Sequence, residues 1–202
     1  MSNSTSGDPR AEPRGDSASK GIPATWLAQG AAVWEKAMDA LVQTKLAFPL
    51  SRAQAAVVLS YMHPFSIEEG VEFIQEGDAG MSHFLALVVE GEVTVETITV
   101  SRTNPMTVTV LGPGSIHGEL GMLDGSPRSA SCTSSTRVLC GILSREGFSR
   151  LLNDHPDVCA RFTVMLAMRI GERLRDNTLK LKRFVMMTRA LCEEIDRMSP
   201  EQ

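Results

Sequence analysis

The chain has 202 residues, 43% hydrophobic and 22% charged, with 20 Lys and Arg against 24 Asp and Glu for a formal net charge of -4. A chain this long buries enough surface to fold without disulfides, and a net negative balance lacks the surplus of cations that a whole-chain nucleic-acid binder needs. No run of about 18 apolar residues and no apolar leader occurs, so neither a spanning helix nor a signal peptide is expected. The expectation is a cytoplasmic protein with reduced thiols at Cys132, Cys140, Cys159 and Cys192.

Residues 1–22 are rich in Ser, Gly, Pro, Asp and Arg and almost without large apolar side chains, so burial cannot offset the entropy of ordering them; a flexible tail is predicted. From Ala24 onward, Trp26, Leu27, Ala31, Val33, Trp34, Met38, Leu41 and Val42 recur at separations of three and four, the stripe of a helix that ends before Pro49. Ser51 suits the N-cap of a second helix with Ala53 to Tyr61 as its body and Met62-His63-Pro64 as its stop. These N-terminal helices occupy 23–62.

After Val71 the period changes to two. Runs rich in β-branched residues at 72–76, 84–89, 92–98, 106–111, 130–133 and 137–142 are broken by Gly77-Asp78, Gly91, Asn104-Pro105 and Gly112-Pro113-Gly114. Strands about ten residues apart with turns between them predict an antiparallel β-roll over 63–143, in the α+β class. The helical period returns over 144–202. Ser144 to Phe148 opens a short helix, and Pro156 with Asp157 starts a long one whose stripe is Phe162, Leu166, Ile170 and Leu174, then Leu181 and Val185. Residues 185–202 are expected to form at most one further helix, around Met187, Ala190, Leu191 and Ile195. The long helix reads equally as packed on its own β-domain or as a dimer helix that meets a second copy.

Charge is unevenly spread. Glu68, Glu69, Glu72, Glu76, Asp78, Glu90, Glu92 and Glu96 lie in a stretch, 66–101, that has no Lys or Arg. Arg161, Arg169, Arg173, Arg175, Lys180, Lys182, Arg183 and Arg189 face only Glu172 and Asp176 in 161–189. The basic helix reads as a solvated face, or as pairing with the acidic first half, before it reads as a binding surface.

The stretch with most chemistry is 114–130, Gly-Ser-Ile-His-Gly-Glu-Leu-Gly-Met-Leu-Asp-Gly-Ser-Pro-Arg-Ser-Ala. It sets Glu119 and Arg128 nine residues apart, with Gly118, Gly121 and Gly125 between them and a strand on either side. Glycines let a backbone approach a ligand closely, and a helical turn beginning at Glu119 would aim free N–H groups at an anion. Arg128 can grip a phosphate in a bidentate contact worth roughly 1.5–3 kcal/mol, and ionised Glu119, acceptor only, suits sugar hydroxyls.

This constellation resembles the phosphate-binding cassette of the cyclic nucleotide-binding domain family. Residues 73–78, Phe-Ile-Gln-Glu-Gly-Asp, are similar to that family's strand and turn, 84–95 to its next hairpin, and Asn153 to Asp157 to the approach to its C-terminal helix. The resemblance covers about Phe48 to Phe184. It implies a jelly-roll-like β-roll cradling a purine 3′,5′-cyclic monophosphate, with N-terminal helices and a long C-terminal helix. By the same resemblance Glu119 would accept from the ribose 2′-hydroxyl, Arg128 would hold the phosphate with Gly118 at the turn, and Ser129 and the amides of Leu120 and Ala130 would complete the phosphate contacts. The long helix would lie over the base, with Arg173 as the chosen contact between Leu166 and Asn177.

The expected ligand is cAMP or cGMP, cAMP first, with no cofactor, no metal and no catalytic residue. Two departures stand out: His117 occupies the place of the family's large aromatic, and only about 18 residues follow Phe184, too few for a helix-turn-helix. The expectation is a stand-alone receptor that signals through a helix rearrangement to an effector protein, as a homodimer, without direct DNA or membrane binding. Alternatives are a degenerate interaction module of the same fold, a receptor for cGMP or a cyclic dinucleotide, and a cupin-like metal enzyme. The last finds only His63, His83, His117 and His155, with His117 and Glu119 as the sole close pairing.

Overall fold

A computed structural model of the chain describes residues 22–42, 48–80, 83–97 and 106–198. The predicted tail lies outside the described residues up to residue 21, as does the turn expected at Asn104-Pro105. The elements run α1 (Ala24–Leu27), α2 (Ala31–Val42), α3 (Arg52–Ser60), β1 (His63–Ile67), β2 (Glu72–Ile74), β3 (Phe84–Glu90), β4 (Val93–Thr97), β5 (Met106–Leu111), β6 (Ile116–His117), α4 (Glu119–Asp124), β7 (Ser131–Ser134), β8 (Val138–Ser144), α5 (Arg145–Asp154) and α6 (Pro156–Met198).

The strands form two antiparallel four-stranded sheets, in the orders β1-β8-β3-β6 and β2-β7-β4-β5. β3 explains the layering. Its run Phe-Leu-Ala-Leu-Val-Val-Glu is buried throughout its centre because both faces are covered. Ala86 and Val88 point between the sheets with Ile67, Ile74, Val93, Cys132, Val138 and Cys140, while Leu85, Leu87 and Val89 point at the helices. The helical layer brings Trp26, Leu41, Leu59, Leu151, Phe162 and Met165 to that second face. This is the predicted antiparallel β-roll with N-terminal helices and a long C-terminal helix.

Three details differ from the sequence reading. The single helix expected from Ala24 is two, because Gly30 takes a φ of 101°, left-handed backbone that stops one helix and starts the next. Trp26 is thereby turned into the core, where its Nε1 donates to Leu59 O and Met62 O, both at 3.0 Å. Second, His63 and Pro64, read as the stop of α3, begin β1, which pairs with β8 from His63 opposite Ile142 to Ile67 opposite Val138; Pro64 is tolerated there because β1 is an edge strand. Third, the segment after Phe184 is the uninterrupted end of α6, 43 residues in all.

Local signals fix the helix starts. Ser51 and Gln54 form a reciprocal capping box on α3, and the Ser144 hydroxyl accepts from Gly147 N at 3.1 Å on α5.

Candidate functional site

β6 and α4 build one wall of the site. Gly118, between them, has φ 76° and ψ 7°. A Cβ placed there would stand 2.6 Å from both Phe84 O and Arg128 Nη1, so only glycine lets the chain turn this closely past the arginine. The turn puts Glu119 in the first turn of α4, with its side chain buried.

Arg128 forms the opposite wall and is only 7% exposed. Its Nη1 donates to Phe84 O at 3.0 Å and Gly118 O at 2.8 Å, and its Cζ lies 4.8 Å from the centre of the Phe84 ring. The main chain is pinned as well: Arg128 N donates to Asp78 O and Gly77 N to Arg128 O, so the Gly77-Asp78 turn holds the arginine's backbone from both sides. Burial lowers the guanidinium's pKa, but a group that titrates so high stays charged. The side chain is thereby fixed in place on the wall of the site.

α6 closes the site. Arg173 Nη1 donates to Glu119 Oε1 at 2.6 Å, and Nη2 donates to Ile116 O. The choice of Arg173 from a twelve-residue window thus falls on the residue that reaches the site, though its partner is the carboxylate and a strand carbonyl. One turn earlier on α6, Arg169 Nη1 donates to Gly114 O at 2.5 Å.

A cavity of about 70 Å³ lies between these walls, and all seven candidate residues (Gly118, Glu119, Leu120, Arg128, Ser129, Ala130 and Arg173) line it. Its remaining walls are Ile74, Val95, His117, Gly121 and Cys132. Sequence reasoning did not name Ile74, Val95, Gly121 or Cys132 as site residues. For Ile74, Val95 and Cys132 the signal was the strand alternation, which marks inward positions without saying which of them meet a pocket; Gly121 was noted only as one of the glycines between Glu119 and Arg128.

His117 is 3% exposed. Its Nε2 pairs with Ser115 Oγ at 3.0 Å, and Nδ1 lies 3.9 Å from Cys132 Sγ. Burial, with a smaller contribution from the Arg173 charge, pushes its pKa down to about 4, so it is neutral at pH 7. Burial pushes the Cys132 thiol up to about 12, which keeps it an unreactive hydrophobic group. Among the described residues no three His, Cys, Asp or Glu side chains are grouped to hold a metal, and no helix is long and apolar enough to cross a membrane.

A β-roll with a glycine-capped turn, a buried arginine and a covering helix is thus the architecture that encloses this cavity. Residues 64–155 match the family described as the cyclic nucleotide-binding domain. A cAMP-dependent protein kinase regulatory subunit of Dictyostelium discoideum is 32% identical over 92 residues, 45% of this chain and 28% of the relative. The cyclic AMP receptor protein of Thermus thermophilus is 30% identical over 127 residues, 61% of this chain and 56% of the relative. The match thus spans from about a quarter to a little over half of these relatives. Among solved structures, a cyclic nucleotide-binding domain from Methylobacillus flagellatus superposes with a TM-score of 0.64 at 29% identity, covering 72% of this chain and 80% of that one. The Thermus thermophilus catabolite activator protein superposes at 0.56 with 27% identity, covering 72% and 63%.

Proposed function

We propose that the chain is a stand-alone cyclic nucleotide receptor, cAMP first, that works in the cytoplasm as a homodimer and passes ligand occupancy to an effector protein by rearranging α6. In this role Arg128 holds the cyclic phosphate, with Gly118, Ser129 and the amides of Leu120 and Ala130 completing its cradle. Glu119 accepts from the ribose 2′-hydroxyl.

One observation carries the reading: the carboxylate suited to the ribose is the same one that Arg173 of α6 grips at 2.6 Å. The cavity of about 70 Å³ is smaller than the roughly 300 Å³ at which ligand pockets begin, because the Arg173 and Glu119 side chains meet across it. A nucleotide must therefore share or replace that ion pair, and α6 moves with it. The described relatives named for cAMP favour cAMP among the cyclic nucleotides.

The homodimer reading is supported by the free half of α6. Leu174, Thr178, Leu181, Val185, Thr188, Cys192 and Ile195 recur at alternating separations of four and three, and all are exposed. Leu174 and Leu181 are 66% and 63% exposed. That is the a/d seam of a coiled coil, which a second copy would cover.

The test is calorimetry of wild type, Arg128→Ala and Glu119→Ala with cAMP, cGMP and cyclic di-GMP. Saturable binding of cAMP to wild type, lost in Arg128→Ala and weakened in Glu119→Ala, is expected. Equal binding to all three proteins would refute the cassette. No binding by wild type would leave the fold as an interaction module.

A further inference from the structure

A larger cleft, of about 700 Å³, lies between α2, the β3–β4 turn, the loop before β6 and α6. That volume is in the range of small-molecule pockets. It shares no residue with the cavity that holds Glu119 and Arg128.

Its charged walls are Lys36, Asp39, Glu90 and Arg169. Three of these already have ionic partners: Lys36 pairs with Glu90 at 2.5 Å and Asp39 with Arg52 at 2.6 Å. Arg169 differs. It is half-buried, and its one hydrogen bond among the described residues goes to the neutral carbonyl of Gly114. No carboxylate of the described residues lies within 4.0 Å of it. Glu172 and Glu119 attract it from farther away and Arg173 repels it, while burial lowers its pKa. A guanidinium has five N–H donors and a partly desolvated charge is costly without a counter-ion, so most of the hydrogen-bonding capacity of Arg169 is unspent.

We propose that this cleft is a second ligand site, one that takes a small oxyanion, a carboxylate or phosphate group, in a bidentate contact with Arg169. Lys36 adds the second positive charge, since its pair with Glu90 is exposed on both sides and weakly held. The site is tied to α6 by construction. Arg169 and Arg173 are one helical turn apart, and their carbonyl acceptors, Gly114 O and Ile116 O, are two residues apart on one strand and its approach. An anion that draws Arg169 off Gly114 acts on the contact that seats Arg173. The two ligands are therefore coupled, and the coupling is reciprocal.

The full chain, free of nucleotide, is titrated with inorganic phosphate and separately with malonate at constant ionic strength, chloride being the control, with binding read by NMR shifts. Saturable millimolar shifts of the cleft amides of Gly91 and Gly114 by at least one probe are expected, weakened about tenfold or more in Arg169→Gln. Arg169→Lys, which keeps the charge and loses the fork, should fall between wild type and Arg169→Gln and serves if the glutamine variant does not fold. Preference for phosphate or for malonate identifies the oxyanion class. Shifts at those amides that survive Arg169→Gln, or that are absent for both probes, overturn the proposal. None of these outcomes depends on whether the cassette binds a cyclic nucleotide.

Discussion

Replacing His117 by leucine removes a buried imidazole whose protonation the fold resists. In the unfolded chain a histidine titrates near 6.5, whereas burial and the Arg173 charge hold the folded value at about 4. Between those values the unfolded state binds more protons than the folded one, so stability falls as pH drops from about 6.5 to about 4 and is constant on this account above and below that window. That difference corresponds to about 3 kcal/mol, most of which is lost by pH 4.5. Leucine carries no such linkage, and Ser115 Oγ keeps a second partner, Gly112 O, at 2.7 Å. Urea unfolding of both proteins at steps from pH 7 to pH 4.5 reads the effect. The stability of wild type relative to His117→Leu should decline by about 2–3 kcal/mol across the series, the carboxylates contributing alike to both. Parallel pH curves would refute the claim that His117 is held neutral by burial.

Arg128→Lys keeps the charge and loses the fork; cAMP affinity measured by calorimetry should fall about tenfold to a hundredfold, in line with roughly 1.5–3 kcal/mol for a charge-assisted contact. Gly118→Ala places a Cβ 2.6 Å from Phe84 O and Arg128 Nη1 at a φ of 76°, so a loss of about 1–3 kcal/mol in chemical denaturation is expected together with weaker nucleotide binding. Unchanged stability would mean that the turn relaxes freely. Leu181→Asp with Val185→Asp puts two charges into the proposed seam, and light scattering should report half the wild-type mass; a wild type that is already monomeric refutes the dimer.

The fold was legible wherever periodicity carried it. Strand alternation and the glycine turns foretold six of the eight strands, and Ser51, Ser144 and Pro156 marked three helix starts. Short elements were not legible. β1 opens with His63-Pro64, residues that also stop a helix, and β6 has two residues, too few for any period. Gly30 was visible in the sequence, but only its φ of 101° tells a break from a tolerated glycine. The walls of the site were legible on the cassette, where Glu119 and Arg128 are close in sequence. Arg173 stood 54 residues from Glu119, and a stripe of helical residues cannot say which one faces a given carboxylate.

The charge of -4 for the whole chain conceals a local reversal that bears on mechanism. Around the cavity the ionised groups are Arg128 and Arg173 against Glu119, with neutral His117 beside them and Arg169 one turn away. The two cations differ in what carries them. Arg128 is fixed by Phe84, Gly118 and the Gly77-Asp78 turn, so it is already oriented before any ligand arrives and supplies affinity. Arg173 has 41% of its side chain exposed and sits on a helix whose second half meets no other described element, so it is the partner whose position can change. A ligand that bound equally to both positions of Arg173 would shift nothing, however tightly it bound. On the proposed reading, a nucleotide that contacts Glu119 competes with Arg173 of α6 for that carboxylate, and this competition would give its binding the differential free energy needed to move the helix.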